Sequence, residues 1–162
     1  MALTRVNNQA LTNVTSAGLP SGTVLQVKSS TINTTAGDLT NTYTDQGLSV
    51  TITPSSSSNK IFILMHTQVQ AASTVGIGFQ LLRGSTVILN PCPVDGAGPL
   101  GWYSGSGSMY GPVTMQYLDS PSTTSATTYK MQAARRSSGT AHFLYDDSTV
   151  GTAVITAMEI AG

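Results

Sequence analysis

The sequence predicts an all-β protein: a single antiparallel β-sandwich, jelly-roll-like, with a short extended N-terminal arm. Three observations carry this. From Gly22 onward, apolar residues recur with period two, the signature of half-buried strands. About eight to ten such runs are separated by turns rich in Gly, Pro, Ser and Asp, and no stretch has the 3.6-residue period of an amphipathic helix. The runner-up, an immunoglobulin-like sandwich, lacks its Cys…Trp…Cys spacing, because Cys92 stands alone. No internal repeat suggests a solenoid or propeller.

Residues 1–21 form the arm. Leu3, Val6, Leu11 and Val14 are spaced among Asn, Gln, Thr and Ser, too few to build a core. The arm reads either as a frayed terminus or as a segment that orders when docked on a partner. The body, residues 22–162, opens with a strand at Thr23–Val27. Asn41–Asp45 reads as an edge strand. Leu48, Val50 and Ile52 alternate with Ser49, Thr51 and Thr53, and Pro54 stops that run. Ile61, Ile63, Met65 and Val69 share one face of a long strand. Its other face begins with Phe62 and Leu64 and turns polar at His66, Gln68 and Gln70, which predicts cover on both sides at the apolar end only.

Gly76–Leu82 is a strand with Ile77, Phe79 and Leu81 in phase. Arg83-Gly84-Ser85 is a tight turn returning through Thr86–Leu89. Residues 90–108 read as a long Gly- and Pro-rich loop holding Trp102 and Tyr103. Met109–Leu118 points Val113, Met115 and Tyr117 one way, and Pro112 marks an edge or a bulge. Asp119–Ser122 reads as a turn. Thr127–Arg135, Ala141–Tyr145 and Thr152–Ile160 complete the strands.

Only 9% of the residues are charged, against about 25% in an ordinary domain. Seven basic residues balance seven acidic ones, and 20 Ser and 24 Thr carry the polarity instead. No cluster of Lys and Arg offers a footprint for nucleic acid or an anionic membrane surface. No apolar run approaches the length of a membrane helix, and residues 1–20 lack the apolar stretch of a secretory signal. Near-zero net charge favours association.

Chemistry is sparsely represented. His66 and His142 form no short-spaced metal pair with each other or with Cys92, so no metal or other cofactor is expected. Prolines flank Cys92, which argues against the helix start that would activate a thiol. Gly105-Ser106-Gly107 has no helix after it, unlike a nucleophile elbow. Most carboxylates, including Asp119 and the pair Asp146-Asp147, fall at expected turns, where Asp bonds its own backbone. No catalytic residue is assigned. Trp102 and Tyr103, flanked by Gly98, Gly101, Gly105 and Gly107, suit sugar stacking or protein contact; Trp102 equally suits plugging one end of the sandwich.

Several stretches resemble tailed-phage structural proteins, notably those of cyanophages. They are Gly22–Val27, Gly47–Ser56, Asn59–Leu64, Leu82–Thr86, Tyr117–Tyr129 and Met158–Ala161, in that order. The resemblance implies a virion surface module with a homotrimeric jelly-roll head. Fibre proteins carry such a head on a long stalk, whereas here the body begins about 20 residues from Met1. The expected function is therefore a non-enzymatic capsid decoration (cement) protein. Leu3, Val6, Leu11 and Val14 would anchor it to the major capsid protein. The alternative is a fibre-tip or receptor-binding subunit that reads a host surface glycan or protein through Trp102 and Tyr103.

Overall fold

The computed structural model describes residues 19–34, 37–92, 102–144 and 151–162. The described residues contain strands and turns and no helix. In chain order the strands are β1 (Val24–Ile32), β2 (Thr44–Ile52), β3 (Lys60–Ala71), β4 (Gly76–Arg83) and β5 (Thr86–Cys92). Then come β6 (Trp102–Tyr103), β7 (Met109–Asp119), β8 (Thr127–Arg135), β9 (Ala141–Phe143) and β10 (Ala153–Ile160).

Two antiparallel sheets result. Sheet A runs β1-β10-β3-β7, with β9 also beside β3; sheet B runs β2-β8-β4-β5, with β6 beside β4. The pairings are nested: β1 with β10, β2 with β8, β3 with β7, β4 with β5. This is one long hairpin folded across itself, with successive pairs alternating between sheets, and it makes the sandwich a jelly roll.

Alternation builds the core. Ile61, Ile63, Met65, Val69 and Ala71 of β3 face Ile77, Phe79 and Leu81 of β4 and Tyr129, Met131 and Ala133 of β8; all are buried. Ala153, Ile155 and Ala157 put small and branched residues on the inner face of β10. Thr67 occupies the inward slot between Met65 and Val69, and its hydroxyl satisfies itself on the Gln68 carbonyl oxygen, 3.2 Å away. The β4–β5 turn has Gly84 at φ 60° followed by Ser85, the arrangement of a two-residue type II′ hairpin.

Several elements differ from the sequence expectation. The first strand runs on to Ile32, because Ser29, Ser30 and Thr31 pair with β10 although they carry no apolar phase. Residues 41–43 are not a strand of their own; β2 begins at Thr44 and absorbs Asp45–Gly47 through a register shift, with Gly47 at φ 78°. The expected loop 90–108 starts later and is interrupted: β5 continues to Cys92, and Trp102–Tyr103 pairs with Ile77 and Gly76, while β7 begins at Met109 as expected. Asp119 is not a turn residue but the buried last residue of β7. On the outer face of β3, Phe62 and Leu64 are only half-buried, while Gln70 is buried, the reverse of the expected end. Periodicity reports which face a residue is on; only packing reports what lies over that face.

Candidate functional site

Strand register places four inward side chains in one row across sheet A: Gln26 of β1, Glu159 of β10, Ile61 of β3 and Asp119 of β7. Two of the four are buried acids. Glu159 is 0% exposed, and no cation pairs with it among the described residues. Instead it accepts hydrogen bonds from Gln26 Nε2 (2.6 Å), the Ser55 backbone N–H (2.6 Å), Ser55 Oγ (2.8 Å) and Asn59 Nδ2 (2.6 Å). Burial pushes this carboxyl up, but the donors from Asn59, Gln26 and Ser55 outweigh it and hold it below the usual carboxylate range. Asn59 Oδ1 in turn accepts from the Gly162 backbone N–H at 3.2 Å. Glu159 thus fastens the loop between sheets, residues 53–59, to β1, β10 and the chain end.

Asp119 is the second polar staple. Arg83 Nη1 donates to both its oxygens at 2.9 Å, and Tyr129 Oη donates to Oδ2 at 2.7 Å. Asp119 belongs to sheet A while Arg83 and Tyr129 belong to sheet B, so the cluster ties the two layers together. Burial first, then the bond to Asp119, push the Tyr129 phenol far above its ordinary value. Both acids have their oxygens committed to fixed donors. The arrangement suits structural locking and not proton transfer to a substrate. A sequence signal for both existed: Glu159 is in phase with Ala153, Ile155 and Ala157, and Asp119 with Val113, Met115 and Tyr117.

The outer face of sheet A divides into two ends. At one end, register aligns Val27, Met158, Phe62 and Leu118 in a single apolar row over four strands. Val24 opposite Ile160 flanks that row on one side, and Leu64 on the other. Val24, Val27 and Leu118 are 51%, 53% and 48% exposed. A cleft of about 380 Å³ borders this patch, lined by Ser21, Gly22, Ser58, Lys60, Leu118 and Ile160 among others. Further along, the face becomes polar: Ser29 bonds Thr156 (3.1 Å), and His66 Nδ1 meets Thr114 Oγ1 (3.1 Å). At the far end a row of Tyr110, Gln70, His142 and Asp38 crosses the sheet, with His142 Nε2 3.3 Å from Asp38 Oδ1. Gln70 Nε2 donates to Tyr110 Oη at 3.3 Å.

Sheet B is hydroxyl- and amide-rich outside. Thr51 bonds Thr128 (2.8 Å), Gln80 Nε2 donates to Gln132 Oε1 (2.5 Å), and Lys130 pairs with Asp45 (2.7 Å). The Lys130 bond, then that from Gln132, keep the Asp45 carboxyl below its ordinary range.

Leu3, Val6, Leu11 and Val14 lie outside the described residues, as do Asp146 and Asp147. Trp102 and Tyr103 are placed by backbone alone, as β6 against the start of β4. The adjoining segment is held there too: the Ser104 N–H donates to the Val75 carbonyl, and the Thr74 N–H to that of Ser104. Among the described residues, no three His, Cys, Asp or Glu side chains come together as a metal site. The feature that sequence reasoning missed is the apolar outer patch: Phe62 and Leu64 were legible as an apolar face of one strand, but Val27, Leu118 and Met158 are far from them in sequence and only register joins them.

No family model matches the chain, and no curated protein matches it. Among solved structures it is similar to a chain from the structure of infectious bursal disease virus Gx strain. That alignment has 11% identity and a TM-score of 0.42, and covers 86% of this chain and 39% of the other. The chain therefore spans about two fifths of the length of that structure's chain.

Proposed function

We propose that the protein is a non-enzymatic structural component of a virus particle, a homotrimeric decoration protein on the capsid of a tailed phage. The observation that carries this reading is the outer face of sheet A. A contiguous apolar patch, bordered by Ser29 and Thr156 on one side and by Lys60 on the other, on a body with almost no charge, is a surface for contact with protein. The resemblance of residues 22–162 to tailed-phage structural proteins supplies the kind of particle. The interlocked body supplies a rigid platform: two buried acids bolt its layers and loops together, so little of it needs to move.

Attachment works by additive burial. The arm residues Leu3, Val6, Leu11 and Val14 dock on the major capsid protein, each contributing roughly 1.5–3 kcal/mol before ordering costs. Three arms on one trimer multiply the effect, since the second and third bind at high effective concentration.

The test is co-sedimentation with capsids. Protein lacking residues 1–20 is expected to stay folded and lose particle binding. Undiminished binding by the truncated protein would overturn the arm-anchored reading. Blocked phage adsorption by the free full-length protein, lost on substituting Trp102, would instead identify a receptor-binding subunit.

A further inference from the structure

The far end of the outer face of sheet A holds a second cleft. Its volume is about 320 Å³, at the lower end of small-ligand pockets, and it is lined by Gln68, Val69, Tyr110, Gly111 and Pro112. Strand register explains its shape. Gln68 stands opposite Pro112, Val69 opposite Gly111, and Gln70 opposite Tyr110. Val69 turns its side chain into the core, so Gln68, Gln70, Pro112 and Tyr110 take the outer face. The floor is therefore the Val69–Gly111 pair, where glycine adds no side chain. Gln68 and Pro112 stand on one side of it and Tyr110 on the other.

The lining is amphipathic and, among the described residues, uncharged. Tyr110 is 57% exposed, and with the Pro112 ring it offers an apolar platform. Gln68 adds an exposed amide, which can both donate and accept. Beside the cleft, one acceptor lacks a donor. Gln70 is only 8% exposed; its Nε2 donates to Tyr110 Oη at 3.3 Å, and its Oε1 is buried with no hydrogen-bond partner. Such an oxygen destabilises a fold until a donor reaches it. It belongs to the side chain bonded to the phenol that walls the cleft, two residues along β3 from Gln68. Asp38 and His142, which meet at 3.3 Å, lie across Gln70 on the side away from Tyr110.

We infer that this cleft binds one ring of a neutral saccharide. The C–H face of the ring stacks on Tyr110 and Pro112. Its hydroxyls bond the Gln68 amide and give Gln70 Oε1 the donor it lacks. Ions fit poorly, since no charged side chain of the described lining replaces their hydration. An apolar protein segment fits poorly too, because the amides would lose water without gaining partners. The site is separate from Trp102 and Tyr103, which belong to sheet B, and from the apolar row at the opposite end of sheet A. It does not depend on the decoration reading, because it concerns the isolated protein in solution.

The experiment is an NMR titration of the full-length protein. The probes are the methyl glycosides of glucose, galactose and mannose, and N-acetylglucosamine, with glycerol as a polyol that has no ring face. At least one sugar is expected to bind saturably with a Kd of about 1–10 mM, as suits a single ring in a shallow cleft. The shifts should centre on the amides of Gln68, Val69, Gln70, Tyr110 and Gly111. Tyr110→Ala, on an exposed position, should weaken binding about tenfold while leaving the urea midpoint nearly unchanged. Gln68→Ala, also exposed, should weaken it about threefold or more through the lost hydrogen bond. Absence of a saturable shift with every sugar up to about 50 mM would overturn the inference. So would an equal response to glycerol, shifts centred on Trp102 and Tyr103, or binding that survives both substitutions.

Discussion

Glu159 shows how one side chain can hold several elements. A buried carboxylate normally needs a cation, but here four neutral donors surround it at 2.6–2.8 Å. Glu159→Gln keeps the shape and turns one acceptor into a donor facing donors. We expect a loss of roughly 1–3 kcal/mol at neutral pH, read by urea unfolding. The carboxyl is held below its ordinary range in the fold, so the native state binds fewer protons than the unfolded chain near that range. Its contribution is full above the ordinary carboxylate value of about 4.3 and is lost as pH falls through the folded value. The gap between Glu159 and the Gln variant should therefore narrow on acidification towards about pH 3, as the same unfolding curves would show. A gap that stays constant would mean the four donors do not stabilise the charge.

At the scale of elements, the strands were legible wherever one face is buried. Leu48, Val50 and Ile52, or Tyr129, Met131 and Ala133, alternate in sequence because alternate positions meet the core. The second half of β1 was not legible, since Ser29 and Thr31 are held by ladder bonds to β10 and bury little. β6 was missed for the same reason; two residues carry no period. Turns were legible where geometry demands a residue type, as at the β4–β5 hairpin. Gly84→Ala forces a Cβ into φ 60° and should cost about 1–2 kcal/mol, seen as a lower midpoint in urea with unchanged slope. Nothing lies within 4 Å of the added Cβ, so the cost is conformational and not a clash.

For the whole molecule, the scarcity of charge now has a location. Hydroxyls and amides are prominent on sheet B and in the middle of sheet A, while Val24, Val27 and Leu118 are exposed at one end of sheet A, Met109 and Tyr110 at the other, and Val87 on sheet B. Assembly through such surfaces is expected to be insensitive to ionic strength. Light scattering should give three times 16.8 kDa at micromolar concentration in both about 0.05 M and about 1 M salt. A monomer mass would contradict the trimer, and dissociation at high salt would point to charge pairs as its basis.

The sequence by itself determined the class of fold, the inward face of those strands that bury one side and the poverty of reactive groups, because these follow from period, composition and turn chemistry along the chain. Only the tertiary structure decided which strands are neighbours, and with them the row that sets Glu159 and Asp119 on either side of Ile61 and the patch that joins Val27, Met158, Phe62 and Leu118. Those alignments depend on register between strands up to 136 positions apart, as for Val24 and Ile160. A local pattern carries no information about such a distance, and the nested pairing of the jelly roll supplies it.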